Sequence, residues 1–268
     1  MLTLFKSINV GLSKRALWRL PEQLTEPLFP IYDQMIWSYS STLKNGVLLD
    51  VGGGFLMPAA RSRQYMQSCE VIGFDISAAA LRKNHDIDFG ICADACKSWP
   101  LADESVDIVV SRSLIEHLHD TETFARECYR VLKPGGIAIH VLPGKNSPFS
   151  ILNRLLPNKV SKHLLNWAFP HRKSELGFPA YYQNCAYPAI TQLFERHHFQ
   201  LEVVRLRYFQ SSYFMVFFPV FVLSALYDLL LWRLGIKRLA SQFLLVVSKA
   251  NDECSPQIRN HKAGHAIK

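Results

Sequence analysis

The stretch "LLDVGGGFLMPAARSRQYM", residues Leu48–Met66, decides the fold. It runs from an apolar strand into three consecutive glycines, and Pro58 then suits the first turn of a helix. A strand, a glycine bend and a helix are therefore predicted. Outward from this unit, short apolar runs alternate with helix-like stretches, the pattern of strands joined by crossover helices in a parallel sheet. Strands are expected near residues 47–51, 71–74, 88–92, 106–111 and 136–142. Two more follow, "LEVVRLRYF" (201–209) and "FLLVVSKA" (243–250), with a helix around 189–197 before them. In "LKPGG" (132–136) Pro134 stops the preceding helix, and Gly135-Gly136 turns the chain into the next strand. The fold class expected is α/β, a Rossmann-like seven-stranded mixed sheet with helices on both faces. An apolar helical insertion lies between the last two strands.

Gly52, Gly53 and Gly54 remove side chains where a ligand could approach backbone amides, although a tight strand-to-helix turn needs glycine as well. Acidic residues weigh toward a ligand. "VIGFDIS" sets Asp75 at the carboxyl end of the second strand, where a carboxylate can accept hydrogen bonds from a ribose diol. "CADA" sets Asp94 just beyond the third. A dinucleotide site would want GxGxxG, and the third glycine position holds Met57. S-adenosylmethionine has no phosphate to cradle. It needs a close-approach turn, a diol acceptor and a partner for the adenine amine, and Gly52–Gly54, Asp75 and Asp94 supply these in order.

The motifs "LLDVGGG" (48–54), "VIGFDIS" (71–77), "ADACKSWPLADESVDIVVSRSLIEHLHD" (93–120) and "RVLKPGGIAIHV" (130–141) carry a family likeness. Residues 46–142 resemble the core of class I S-adenosylmethionine-dependent methyltransferases, in the subgroup that includes the ubiquinone and menaquinone biosynthesis methyltransferases. The resemblance implies that Asp50, Gly52, Gly53 and Gly54 line the methionine end of the cofactor. It implies that Asp75 and Ile76 hold the ribose, that Asp94 with Ala95 faces the adenine, and that Ser111 stands beside the sulfonium. Leu56 occupies a place where the family often has a further glycine.

Methyl transfer from a sulfonium is an in-line displacement, so alignment and exclusion of water matter more than a base. For a hydroxyl acceptor a near-neutral histidine helps. "EHLHD" offers Glu116, His117 and His119 after strand four, and His117 is the candidate base; capping or packing at a helix start is the other reading. Glu116 and His117 are adjacent and make a poor chelate, so no metal is expected. His198 stands where a C-cap glycine is common.

Domain boundaries follow: 1–45 an N-terminal helical cap, 46–250 the methyltransferase domain, 251–268 a disordered basic tail. Within the domain, 145–188 is a substrate-side insertion and 211–240 an apolar one. Tyr181 and Tyr182 in "FPAYYQN" (178–184) either line an acceptor pocket or pack. "YFMVFFPVFVLSALYDLLLW" (213–232) is long enough to span a bilayer, but it contains Pro219 and Asp228. A single span would also strand the last strand on the wrong side. A broken or paired helix is expected, either lying on a membrane with Arg233, Lys237 and Arg238 at headgroup level or closing over the site as a lid. Lys145, Arg154, Lys159, Lys162, Arg172 and Lys173 suit the same anionic surface.

The 30 Lys and Arg against 22 Asp and Glu give a net charge of +8, which favours partners of negative potential. No aromatic-basic interleaving marks a nucleic-acid site, and an RNA methyltransferase is the weaker enzyme reading. A membrane-peripheral protein that keeps the fold without catalysis is the non-enzymatic one. The six cysteines show no CxxC pair, consistent with reduced thiols, and no signal-peptide run opens the chain. The expected setting is cytoplasmic, peripheral at the inner membrane face, with a small-molecule or lipid-like acceptor. Oligomeric state is not legible.

Overall fold

The computed structural model describes residues 2–67, 69–155 and 179–251. Residues 156–178 of the substrate-side insertion, including Lys159, Lys162, Arg172 and Lys173, lie outside the described residues, as does the tail from 252.

The chain begins with helices α1 (Leu2–Leu17), α2 (Glu22–Thr25) and α3 (Leu28–Ser40). The central unit then runs β1 (Gly46–Val51), β2 (Cys69–Asp75), α4 (Ala78–Leu81), β3 (Phe89–Cys92), β4 (Val106–Arg112), α5 (Thr121–Val131) and β5 (Leu132–Pro143). After it come α6 (Pro148–Leu155), α7 (Ala189–Arg196), β6 (Phe199–Arg207), α8 (Phe218–Leu234) and β7 (Gln242–Lys249). The seven strands form one sheet in the order β3-β2-β1-β4-β5-β7-β6. Strands β1 to β5 pair in parallel, and β7 is antiparallel to both β5 and β6.

Strand alternation divides the core between the two faces. Ile108, Val110, Ile137 and Ile139 pack under Leu28, Tyr32 and Ile36 of α3. Val109, Ala138 and Leu142 pack under Phe124 of α5 and Leu193 and Phe194 of α7.

Three local expectations are corrected. The segment after the glycines is a 3₁₀ helix, Pro58–Tyr65, and not an α-helix. Helix α5 ends at Val131, and the ladder of β5 already begins at Leu132, so Lys133-Pro134-Gly135 belongs to the strand and Gly135 takes the positive φ of 76°. The apolar insertion holds one continuous α-helix over Phe218–Leu234 where a broken or paired one was expected. Pro219 falls in the first turn, where its missing N–H costs no hydrogen bond. His198 follows α7 at φ 66°.

The β6–β7 insertion leaves and rejoins the sheet at a defined edge. Gln242 opens β7 opposite Pro143 at the end of β5, and the Gly144 amide bonds the Ser241 carbonyl at 2.8 Å. α8 therefore emerges at the carboxyl edge of the parallel strands. Among the described residues no helix is long and apolar enough to cross a membrane.

Candidate active site

The carboxyl ends of β1, β2 and β3 lie side by side on one edge of the sheet, and hydrogen bonds tie the loops that follow them together. The Gly52 amide donates to the Phe74 carbonyl at 2.7 Å, binding the glycine bend to the end of β2. Asp75 Oδ2 accepts from the Gly54 amide at 3.0 Å, and Oδ1 accepts from the Ser77 amide at 2.8 Å. The Ala93 amide donates to the Asp75 carbonyl at 3.1 Å, which brings Asp94 beside the same strand end. Asp94 Oδ1 in turn accepts from the Cys96 amide at 2.9 Å. Ile76 is 60% exposed on this rim, while Ala95 is buried behind it.

The glycines have separate reasons. Gly52 has φ 80° and Gly54 φ 45°, backbone that a side chain disfavours. At Gly53 the constraint is space, since a Cβ would stand 3.0 Å from Asp50 Oδ2 and 3.1 Å from the Asp50 carbonyl oxygen. Leu56 does not seal the bend; it lines a small cavity together with Tyr32, Asp50, Gly52, Met57 and Arg112.

The electrostatics of this cavity centre on Asp50. Burial, aided by the negative charge of Asp75 and opposed by Arg112, lifts its carboxyl to about 7. Tyr32 is buried beside it, and its hydroxyl is raised well above the ordinary value by burial and then by Asp50. Burial also raises Asp33, with Arg112 opposing, and Asp33 Oδ1 is a buried oxygen with no hydrogen-bond partner. Arg112 lies over the Phe29 ring at 4.0 Å. The cavity thus sets the Arg112 cation beside the Asp50 carboxyl, and the same cation acts on Asp33 nearby.

Ser111 does not present its hydroxyl to the cavity. It is fully buried, and its Oγ lies 2.8 Å from His140 Nδ1 on the opposite face of the sheet. His140 stacks on Phe194 at 5.0 Å, and burial drives its pKa down to about 3. Strand alternation explains this: Val110 and Arg112 face α3 and the cavity, so Ser111 faces α5 and α7.

The loop after β4 forms a 3₁₀ turn, Ile115–His117. His117 Nδ1 lies 2.9 Å from the Pro179 carbonyl oxygen. A carbonyl can only accept, so Nδ1 is the donor in this contact, and Nε2 lies 3.9 Å from Glu116 Oε1. Glu116 is buried, its pKa lifted by burial to about 8, and its Oε2 has no hydrogen-bond partner. Its backbone carbonyl accepts from the amides of both Tyr181 and Tyr182, so the "PAYYQN" segment is clamped onto the post-β4 loop. Of the two tyrosines, Tyr182 is buried and Tyr181 exposed.

Sequence reasoning missed Tyr32, Arg112 and Asn84. The Asn84 amide bonds the Gly53 carbonyl at 3.0 Å, and Asp86 accepts from the Met57 amide at 2.9 Å, so a loop after α4 braces the glycine bend from behind. Tyr32 and Asn84 belong to no local motif, and Arg112 lies within the 93–120 motif without having been singled out there. Only the end-of-strand position of Arg112 could have signalled its role.

Residues 49–140 match the family model described as "Methyltransferase domain". A Mycolicibacterium smegmatis protein named "Probable S-adenosylmethionine-dependent methyltransferase" is 45% identical over 58 residues, 19% of this chain and 23% of that protein. The Bordetella avium ubiquinone biosynthesis O-methyltransferase is 29% identical over 150 residues, covering 52% of this chain and 57% of that one. The match thus spans less than two thirds of the length of these curated relatives. Among solved structures, Haemonchus contortus phosphoethanolamine N-methyltransferase 2 in complex with S-adenosyl-L-methionine aligns with a TM-score of 0.51 at 17% identity. That alignment covers 83% of this chain and 53% of the other. At that identity the likeness is one of fold.

Proposed function

We propose, from the premise that residues 49–140 are a class I S-adenosylmethionine-dependent methyltransferase domain, that the chain transfers a methyl group to the oxygen or carbon of a small, apolar acceptor. The observation that supports the proposal is the joint built by Asp75, Gly54 and Ala93, which ties the end of β2 to the glycine bend and to the loop that carries Asp94. Asp75 and Ile76 are assigned to the ribose, and Asp94 with Ala95 to the adenine. Each Asp75 oxygen already accepts one amide, and a carboxylate oxygen can accept a second hydrogen bond.

Arg112 is assigned to the carboxylate of the methionine end and Asp50 to its ammonium. The fit is electrostatic: a bound zwitterion would replace the partial neutralisation that Asp50, Asp33 and Arg112 now give one another. The space that Gly53 keeps clear beside Asp50 is consistent with this. The cofactor supplies an electrophilic methyl group on a sulfonium. The chain's own part is to hold both ends, exclude water and, for a hydroxyl acceptor, remove a proton at His117 Nε2.

The apolar character of the acceptor is supported by α8, which rises from the carboxyl edge that carries the cavity. The Bordetella avium relative named above is a ubiquinone biosynthesis O-methyltransferase, which is consistent with this reading. A position against the inner face of a membrane belongs to this reading. The test is incubation with S-adenosylmethionine labelled in the methyl group and a membrane lipid extract, followed by chromatography of the organic phase. A labelled apolar product that disappears with Asp75→Ala supports the proposal. Label confined to RNA or protein, or absent from every fraction, overturns it.

A further inference from the structure

Helix α8 is apolar on its whole circumference, yet only one side is covered. Phe221, Ala225, Asp228 and Leu231 face inward and are buried. The turn between them is fastened there, since Asp228 accepts from the amides of Gln210 and Ser211 and from the Ser211 hydroxyl. Leu223, Leu226, Leu230 and Leu234 follow one another at three- and four-residue spacing on the opposite face, and each is more than half exposed. The helix thus leaves an uncovered apolar stripe, the kind of surface that marks a contact with a protein or a membrane.

Helix α1 extends the same surface. Asn9 and Ser13 turn inward onto the start of α8, Asn9 Oδ1 accepting from the Phe218 amide and Ser13 Oγ donating to the Met215 carbonyl. Leu4, Ile8 and Leu12 form the outward stripe, and Trp18 is 89% exposed beyond it. Phe5 and Phe217 join the two helices, with ring centroids 6.2 Å apart and both rings about half exposed. The patches are therefore continuous.

Within the two segments that make this surface the exposed charges are of one sign, while the neighbouring α2, which packs on α8, carries the exposed Glu22, with the exposed Glu26 just after it. Residues 2–20 contain no acidic residue, and in residues 211–239 the single acidic side chain is the buried Asp228. Lys14, Arg15 and Arg19 stand exposed at one end, and Arg233, Lys237 and Arg238 at the other. A cationic rim around an exposed apolar stripe complements an anionic bilayer surface. It opposes self-association, because a two-fold interface would set these rims against their own copies.

We infer that α1 and α8 together form a monotopic docking platform for a bilayer rich in anionic lipid, with α1 an equal partner in it. The platform lies at the edge of the sheet that carries the cavity, so an apolar acceptor dissolved in the bilayer would reach the site without crossing water. The inference rests on the membrane-side part of the proposed function. Its test needs neither cofactor nor acceptor, so failure of methyl transfer and failure of docking are read separately.

The full chain is floated on sucrose gradients with vesicles of phosphatidylcholine alone, and with vesicles of equal parts phosphatidylcholine and phosphatidylglycerol. The expected result is flotation with the anionic vesicles and at least ~10-fold lower partitioning on the neutral ones, since electrostatic and apolar contributions act together. The pair Leu226→Glu and Leu230→Glu, both on the exposed face, lowers partitioning by at least ~10-fold with an unchanged melting curve. Ile8→Glu, on the other helix, does the same. As a measurement without a charged variant, brominated lipid quenches the emission of Trp18, read as the difference between wild type and Trp18→Phe. Wild-type protein left at the bottom of both gradients overturns the inference, as does Ile8→Glu floating like wild type. Equal flotation on neutral and anionic vesicles also overturns it, and so does a solution dimer that the Leu226/Leu230 pair dissociates while vesicle binding persists.

Discussion

Asp75 and Gly54 are bound to each other: Asp75 Oδ2 accepts the Gly54 amide proton at 3.0 Å. The acidic end of β2 and the bend after β1 are thereby one unit before any ligand arrives, and the unit has a brace in Asn84. Asn84→Ala removes the amide that bonds the Gly53 and Gly54 carbonyls at 3.0 and 3.4 Å. Loss of buried hydrogen bonds of this kind costs about 1–3 kcal/mol. A lowered melting temperature and weaker binding of S-adenosylmethionine are both expected, measured by calorimetry. Unchanged binding with a lowered melting temperature would make Asn84 a purely structural residue.

Arg112 separates the two ends of the proposed cofactor. Arg112→Leu is expected to weaken S-adenosylhomocysteine by ~10-fold or more, the cost of a lost charge-assisted hydrogen bond, and to leave adenosine nearly unaffected. Competition binding with the two ligands checks this. Equal losses would place Arg112 in a general structural role.

The raised pKa of Asp50 makes a prediction with a definite sign. Its folded value of about 7 lies above the ordinary 3.8, so the folded chain holds the proton more tightly than the unfolded one. The stabilisation this gives the empty protein is fully present below about pH 4 and is lost as pH rises through about 7. An ammonium group bound beside Asp50 favours the ionised form, so binding releases a proton and affinity for S-adenosylmethionine rises from pH 6 to pH 8. Asp50→Asn flattens that slope. Titrations in buffers of different ionisation enthalpy count the proton released.

Asp228 tests the anchoring of α8. Asp228→Ala strands the amides of Gln210 and Ser211 and the Ser211 hydroxyl inside the protein. The expected loss is on the order of 3 kcal/mol, or roughly 10 °C in melting temperature for a chain of this size. Asp228→Asn, which keeps an acceptor, should lose less.

What was legible in the sequence follows from how local the cause is. The glycine bend and the places of the strands along the chain up to β5 were readable because β1, β2 and β4 are apolar runs with their punctuation beside them. Ser111 was misread because position at a strand end is not direction; alternation sends its side chain to His140 while Arg112 enters the cavity. Tyr32 and Asn84 come from α3 and from the loop after α4, and nothing local to either marks it as facing residue 50 or 53. The two sides of α8 were not separable either, because a helix apolar all round carries no periodic signal. The inward side is set by contacts with Gln210, Ser211 and α1.

The central claim is that the Asp75 carboxylate receives a ribose diol, and one comparison tests it most directly. S-adenosylhomocysteine and its analogue lacking both ribose hydroxyls are titrated into wild type and into Asp75→Asn, which retains an acceptor for the Gly54 or Ser77 amide. The account predicts that wild type prefers the natural ligand by ~10-fold or more and that the variant loses most of this preference. A variant that discriminates between the two ligands as well as wild type would contradict it.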